Sequence, residues 1–107
     1  MVVAMLEIEA LASDIVREFR PERIILFGSH AEGIQGPHSD VDLLVIVPHA
    51  IKNWQMATQI RNRLRPPFPL DLLVRSPAQI QQRLAMGDPF LRHVTTRGKV
   101  LYEADHR

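Results

Sequence analysis

Two aspartates, one residue apart, stand at the beginning of an apolar segment of the sequence. Asp40 and Asp42 belong to SDVDLLVIV, in which the remaining residues after Asp42 are all aliphatic. Because side chains alternate between the two faces of a strand, both carboxylates point to one side while Val41 and Leu43 point to the other. Neighbouring carboxylates repel each other unless a cation lies between them, and Mg²⁺ is the usual occupant of such an oxygen site. The spacing therefore predicts a Mg²⁺ site.

A third acid occurs in a later apolar segment. Asp71 lies within LDLLV, where a charge among aliphatic residues requires a reason. One reason is an edge strand, on which a charge discourages aggregation. The other is that the two segments form adjacent strands, in which case Asp40, Asp42 and Asp71 line one patch.

A glycine-rich segment precedes the first two acids. Gly28 and Ser29 directly follow an apolar stretch, and Gly33 and Gly36 come soon after. Glycine allows the backbone to approach an anion closely, and exposed amides at such turns bind phosphate oxygens. Phosphate and metal sites side by side indicate phosphoryl or nucleotidyl transfer from a triphosphate, with two metal ions about 3.5–4 Å apart that hold the attacking and leaving oxygens.

Apolar periodicity and the positions of proline predict the elements that hold these residues. One helical pattern ends before Pro21, and a second, which contains Trp54, ends before Pro66. Ser76 and Asp88 each precede a proline, as N-caps of helices often do. The predicted helices are residues 4–19, residues 51–64 and two short helices after Ser76 and Asp88; the predicted strands are Arg23–Phe27, residues 40–47, Leu70–Arg75 and Lys99–Glu103; residues 28–39 form a loop whose start can adopt a helical turn.

This order of elements predicts a single α/β domain, residues 1–107, with helices packed on a small mixed β-sheet. We expect Trp54 and the apolar stripe around it to belong to the core. The chain has 13 basic and 12 acidic residues, so bulk charge does not indicate direct nucleic-acid or membrane binding. The absence of cysteine excludes disulfides and thiolate zinc sites. No apolar segment approaches the ~20 residues of a membrane span, and we expect a cytoplasmic protein.

Taken together, the motifs resemble those of the minimal nucleotidyltransferases (MNT type) of the DNA polymerase β superfamily, which often occur beside a HEPN partner. The family pattern is G-S, three residues, G, a short loop, S-D-x-D-L and a later aspartate in a strand. The positions that match it are Gly28, Ser29, Gly33, Ser39, Asp40, Asp42 and Asp71. The resemblance covers nearly the whole chain.

The resemblance implies a mixed sheet with helices packed on it, dependence on two Mg²⁺ ions, and ATP as the substrate. It implies catalytic and metal-binding roles for Asp40, Asp42 and Asp71, and nucleotide-binding roles for Gly28, Ser29, Gly33 and Ser39. Asp71 would also activate the incoming hydroxyl. The resemblance further implies an antitoxin that transfers AMP to a tyrosine of a HEPN-domain toxin, with which it forms a hetero-oligomer.

Several alternatives stay open. The segment after the G-S pair is commonly basic in the family but is His30, Ala31 and Glu32 here, so the chain can instead be a catalytically weak antitoxin that neutralises its partner by binding. A free-standing transferase that acts on a small molecule is another alternative. His30, His38 and His49 flank the acidic pair, so a transition-metal site is a further one.

Basic and aromatic residues outside the motifs are predicted to have structural rather than catalytic positions. Arg61, Arg63 and Arg65 are predicted to form a solvated face, although these residues or Arg75 could contribute positive charge for phosphates. Tyr102 is expected to pack in the last strand rather than to be modified by the enzyme itself.

Overall fold

A computed structural model describes residues 3–105, and within them four strands form one mixed sheet. The strands are β1 (Arg23–Phe27), β2 (Val41–Ile46), β3 (Leu70–Arg75) and β4 (Lys99–Glu103). Their order in the sheet is β3-β2-β1-β4. β1 is antiparallel to both β2 and β4, whereas β2 and β3 run parallel. The predicted mixed sheet is therefore confirmed. The observed β2 is shorter than the predicted strand, residues 40–47, by one residue at each end.

Helices cover both faces of the sheet. Within residues 3–105 they are α1 (Met5–Phe19), α2 (Ser29–Glu32), α3 (Asn53–Leu64), α4 (Pro77–Ala85) and α5 (Pro89–Arg97). α1 and α3 pack on one face, and α4 and α5 pack on the other. α3 lies between β2 and β3 in the chain, where a parallel pair of strands requires a crossover. The predicted α/β class is confirmed, and α2 is the helical turn expected at the start of the loop.

The two faces of β2 explain why its sequence is aliphatic after the second aspartate. Val41, Leu43 and Val45 point into the core beneath α1 and α3, while Leu44 and Ile46 point into the core beneath α4 and α5. All five side chains are buried. A strand covered on both faces has no solvated side, so apolar residues occupy consecutive positions.

The two short helices begin as their sequences predict. The Ser76 hydroxyl accepts a hydrogen bond from the Gln79 N–H at 3.2 Å, and the Asp88 carboxylate accepts one from the Leu91 N–H at 3.1 Å. The Leu91 N–H, followed by Arg83, lowers the pKa of Asp88, because both favour its charged form. These caps fix the start of both helices on the face of the sheet that carries Asp42.

The expectation that Trp54 belongs to the core is wrong. Its side chain is 64% exposed, and Ile51 is exposed as well. α3 buries Met56 and Ile60, which lie four residues apart on one side of the helix. Ala57 and Leu64 pack against the same core, so the later part of the predicted apolar stripe does belong to it. Trp54 precedes Met56 by two residues, a rotation of about 200° around a helix with 3.6 residues per turn. The aromatic side chain therefore lies outside the packed face.

β3 is one edge of the sheet, and arginine side chains cover part of that edge. In a parallel ladder alternate residues direct their peptide groups toward the neighbouring strand, as Arg75 does when its carbonyl accepts from the Val47 N–H. The Leu70 and Val74 carbonyls accept instead from the guanidinium groups of Arg61, at 2.6 Å, and Arg75, at 2.7 Å. In the part of the chain that the structure describes, no helix is long and apolar enough to cross a membrane.

Candidate active site

Asp42 and Asp71 lie side by side on neighbouring strands. β2 and β3 pair in register with Asp42 opposite Asp71, and their Cα atoms are therefore about one strand spacing apart, ~4.8 Å. Both side chains alternate with residues of the α1 and α3 core, so both point to the face covered by α4 and α5. The sequence left open whether Asp71 lies beside the first two acids, and the register of the sheet shows that it lies beside Asp42.

Asp40 lies just before β2, and its side chain is exposed. Its backbone carbonyl is 3.1 Å from Nδ1 of His30, whose ring is buried with only 5% of its surface exposed. A ring N–H donates to that carbonyl, which joins α2 to the start of β2. The histidine therefore fixes the position of Asp40 and does not point outward as a phosphate ligand would.

Partial burial and the neighbouring carboxylates raise the pKa of Asp42 above its ordinary value of 3.8. Partial burial is the main cause, followed by the charge of Asp71 and a side-chain hydrogen bond with it, and then by the charge of Asp40. His30 acts in the opposite direction. The donor set is thus one that a cation would stabilise, because positive charge between the carboxylates would remove their repulsion.

The three aspartates do not form a finished metal site. Within residues 3–105, no group of three or more histidine or acidic side chains is arranged so that it could hold a metal ion. Asp42 and Asp71 form a pair, and Asp40 lies beyond the end of the strand. Carboxylate oxygens are suitable ligands for Mg²⁺, which keeps several waters and needs only one or two protein carboxylates. These residues therefore fit Mg²⁺ that is bound together with a triphosphate better than an ion held by protein alone.

Gly28 separates β1 from α2 and is in direct contact with the carboxylate of Asp42. Its φ of 73° and ψ of −155° fall in a region that only glycine adopts readily. A Cβ at this position would overlap Oδ2 of Asp42. The backbone of the glycine loop consequently lies against the acidic pair, as the sequence order of the two motifs predicts.

The remaining loop residues have different local roles. Ser29 begins α2, and Gly33 ends it in the left-handed conformation. The hydroxyl of Ser39 accepts a hydrogen bond from the Gly36 N–H at 2.9 Å, which closes the turn before Asp40. Nucleotide binding by Gly28, Ser29, Gly33 and Ser39 stays a prediction, and for Ser39 the observed contact is within the loop.

The histidines do not gather around the acids. Nδ1 of His49 is 2.7 Å from the Val47 carbonyl oxygen, and its Nε2 is 2.7 Å from Oδ1 of Asn53. Nδ1 of His30 is hydrogen-bonded to the Asp40 carbonyl. No cluster with metal-ligand geometry includes His30, His38 or His49 among residues 3–105. The histidine alternative therefore has no support in the geometry.

Two concavities adjoin the acidic pair on the α4 and α5 side of the sheet. The larger, about 780 Å³, lies at Asp71 and is lined by Arg75 of β3, by Gln79 of α4 and by residues of α3 and α5. The smaller, about 300 Å³, lies at Gly28 and is lined by α2 and α5. Phe27 and Phe90 line both, and their rings meet edge to face with centroids 5.7 Å apart. Sequence reasoning missed Gln79 and Phe90, since neither belongs to a motif.

Tyr102 and Arg63 lie away from the acids, whereas the guanidinium of Arg61 is bound to the Leu70 carbonyl, next to Asp71 in the chain. Tyr102 pairs with Ile24, three residues along β1 from the residue opposite Asp42, and packs on the α1 and α3 face. Arg63 forms an exposed ion pair with Glu18. Of the arginines considered for phosphate binding, Arg75 lines the cleft at Asp71.

Comparison with known proteins places the chain in a family. The family model "Polymerase beta, Nucleotidyltransferase" matches residues 9–107. The chain therefore belongs to the polymerase β nucleotidyltransferase family. A search of curated proteins found no match.

Solved structures with the same fold include toxin–antitoxin complexes. A chain of a toxin–antitoxin crystal structure with AMP-PNP is 25% identical, with a TM-score of 0.52 over 91% of this chain and 74% of that chain. A Sulfolobus solfataricus protein provisionally described as a nucleotidyltransferase is 18% identical, with a TM-score of 0.57 over 72% of this chain and 70% of that one. A mutant of the toxin–antitoxin MntA–HpeT is 23% identical, with a TM-score of 0.50 over 91% and 74%. The likeness to the last two concerns the fold.

The contact between Gly28 and Asp42 predicts an unequal response of two glycines to alanine. Gly28→Ala adds a clash with the carboxylate to the strain of its backbone, at φ 73° and ψ −155°. Gly33→Ala adds strain in the milder left-handed region, at φ 73° and ψ 19°, and has nothing within 4 Å of its Cβ. Backbone strain alone costs about 1–3 kcal/mol. We expect thermal unfolding to show a larger loss for Gly28→Ala. Equal losses would contradict the close approach.

The raised pKa of Asp42 predicts a pH-dependent gain in stability for Asp42→Asn. The folded state binds the proton more tightly than the unfolded chain, so the carboxyl opposes folding once the pH rises above about 3.8 and most at neutral pH. We expect the variant to melt at a higher temperature at pH 7 and the difference to shrink toward pH 4. The gain should be below about 1 kcal/mol, because solvent screens this open site.

Mg²⁺ supplies the control for that measurement. The ion should stabilise the wild-type protein at pH 7 more than it stabilises Asp42→Asn, with sodium salt at the same ionic strength as reference. An Asp42→Asn protein that is less stable than wild type at neutral pH would show that the carboxylate is held by a favourable interaction instead.

Proposed function

We propose that this protein is a Mg²⁺-dependent nucleotidyltransferase that transfers AMP from ATP to a hydroxyl group of a protein partner. The observation that carries the proposal is the in-register pair of Asp42 and Asp71 against the backbone of Gly28. Membership of the nucleotidyltransferase family and the likeness to a toxin–antitoxin structure with AMP-PNP support it. Asp40, Asp42 and Asp71 would hold the metal ions.

In the proposed transfer each of these residues has a part. The acceptor oxygen attacks the α-phosphorus, the bond from that phosphorus to the pyrophosphate oxygen breaks, and pyrophosphate leaves. Asp71 is exposed beside the larger cleft and accepts the proton of the hydroxyl. Gly28 and Ser29 face the phosphates, because the first amides of a helix are not used by the helix itself. Bound Mg²⁺ would supply positive charge that offsets the triphosphate and draws the carboxylates together.

The acceptor is proposed to approach from the side of Asp71. A second groove, lined by Ile51, Lys52 and Trp54 together with the edge strand, continues from the larger cleft through shared wall residues such as Arg75. An exposed tryptophan beside a cleft is a feature of protein interfaces, where aromatic anchors carry much of the binding energy. The cationic lining favours an acidic partner surface. By resemblance to the minimal nucleotidyltransferases, we propose that the partner is a HEPN-domain toxin and that its acceptor is a tyrosine.

The proposed activity predicts label transfer that depends on Asp42. Wild-type protein, α-labelled ATP and Mg²⁺ are incubated with the product of the neighbouring gene, and the protein bands are examined for label. We expect a labelled partner band with the wild type and a loss of at least about 100-fold with Asp42→Asn, because removal of one charged contact to the reacting groups has effects of this order. Asp105→Asn, at an exposed position two residues after β4, the edge strand opposite β3, is the control. Undiminished labelling by Asp42→Asn would refute the proposal.

The exposed tryptophan predicts a separate effect on partner binding. Trp54→Ala removes an aromatic side chain that is not packed in the core, so it should leave the melting temperature nearly unchanged. We expect it to weaken the complex at least about 10-fold, as loss of an interface anchor does. Gln59→Ala, an exposed change on the same helix at a position that lines a different concavity, beside Glu18 and Phe19, serves as the control in the same titration. A complex that forms equally well with Trp54→Ala would place the partner elsewhere.

An antitoxin that acts by binding alone is the second candidate. It is favoured by the orientation of His30, which is buried, and by the exposed carboxylate of Glu32, since together they leave α2 without a cation directed at phosphate. Suppression of toxicity that is equally effective with Asp40→Ala and Asp42→Ala would support this candidate over transfer.

A further inference from the structure

The smaller concavity, at Gly28, has a cationic wall. This cavity, hereafter the loop–α5 cavity, is about 300 Å³ in volume and is lined on one side by Gly28, Ala31 and Glu32. The opposite side consists of α5 residues that include His93 and Arg97. These two are four residues apart and therefore lie on the same side of the helix. The glycine loop thus faces a pair of basic side chains from a distant part of the sequence.

Packing of α5 on the sheet fixes the position of this wall. Leu91 and Val94 are buried against the core that contains Ile25. At the end of the helix, a Cβ on Gly98 would overlap the Val94 carbonyl and contact Cγ2 of Ile25, so the backbone approaches β1 closely. Phe90, near the other end of the helix, meets Phe27 edge to face. The helix backbone that carries His93 and Arg97 is consequently fixed relative to the loop that follows β1.

The basic side chains of the loop–α5 cavity are not paired with other side chains. Among residues 3–105, the ring of His93 and the guanidinium of Arg97 form no hydrogen bond or ion pair with another side chain, whereas Arg83 on the neighbouring helix is paired with Asp88. Glu32 is the acid that lines the cavity within the described residues. Arginine matches phosphate geometry with several donors, and histidine adds donors or a charge at the same surface.

The glycine loop cannot balance a triphosphate by itself. His30 is turned into the core, Ala31 is apolar and Glu32 is anionic. Backbone amides contribute only partial charges, while a triphosphate carries several negative charges next to the carboxylates of Asp42 and Asp71. Mg²⁺ at the acidic pair would offset part of this charge. The helix α5, which lies across from the loop, supplies basic side chains that would offset more of it.

We propose that His93 and Arg97 bind the terminal phosphates of the nucleoside triphosphate in the loop–α5 cavity. The inference rests on the proposed function, because the acidic pair would then hold the α-phosphate region while the β- and γ-phosphates extend past Gly28 toward α5. The larger cleft is the poorer phosphate site. There Arg75 is bound to the Val74 carbonyl and Arg83 to Asp88.

Inorganic tripolyphosphate in the presence of Mg²⁺ tests this site without an acceptor. Binding is measured by calorimetry for the wild type, His93→Ala, Arg97→Ala and the double variant. A charged hydrogen bond contributes about 1.5–3 kcal/mol, which corresponds to a 10- to 100-fold change in Kd. We expect Arg97→Ala to weaken binding by about that factor, Arg97→Lys to weaken it less, and His93→Ala to have a smaller effect that adds in the double variant.

Arg92→Ala is the matched control. Arg92 is exposed on the same helix and does not line the loop–α5 cavity, so the variant loses the same charge outside the site. We expect its Kd to stay within about 2-fold of the wild type, because water and salt screen an exposed charge that does not contact the ligand. Equal weakening by Arg92→Ala and Arg97→Ala would overturn the proposal, as would a wild-type protein that does not bind tripolyphosphate.

The outcome is separate from that of the transfer assay. Label transfer that needs Asp42 but is unchanged in KM for ATP by Arg97→Ala would retain the transferase and refute the cationic wall. Tripolyphosphate binding that needs Arg97, in a protein that labels no partner, would retain the phosphate site and refute the transfer. In the combined case we expect Arg97→Ala to raise the KM for ATP about 10-fold or more and to lower inhibition by pyrophosphate.

Discussion

The repulsion between Asp42 and Asp71 is the constraint on which the candidate site depends. The parallel pairing of β2 and β3 places the two carboxylates in register. The backbone of Gly28 packs against the carboxylate of Asp42 and contributes no side chain there. Neither acid has a basic side chain bound to it within residues 3–105. The sheet therefore holds negative charge that it does not itself neutralise, an arrangement that opposes folding in the absence of a cation.

The surrounding structure compensates for this unfavourable group through apolar packing. β2 is buried on both faces directly after Asp42, so the strand that carries the charge is also the most buried strand of the sheet. His30 fixes the start of that strand, and the caps at Ser76 and Asp88 fix the helices that cover its active face. Stability lost at a functional site and regained in the core is common in enzymes.

The sequence predicted those features that depend on residues close together in the chain. Alternation placed Asp42 on the face opposite Val41 and Leu43, and the serine and aspartate before prolines marked the starts of α4 and α5 correctly. Strand adjacency was different, because only tertiary pairing brings Asp71 to Asp42. Trp54 was misjudged because it lies in the first turn of α3, whereas the residues of the apolar stripe that meet the core, Ala57, Ile60 and Leu64, come later in the helix. Likewise, the inward orientation of His30 follows from a carbonyl ten residues away, which no pattern within the loop indicates.

The arginine contacts along β3 have a consequence for the behaviour of concentrated solutions. An uncovered edge strand presents peptide groups on which another copy of the chain can add a strand, and repeated addition leads to fibres. Arg61 and Arg75 occupy the Leu70 and Val74 carbonyls, so an incoming strand would have to displace a charged donor at both positions. The same guanidinium groups carry like charge toward a second copy. Strand addition by a second copy is thereby disfavoured at β3, the edge strand that carries Asp71.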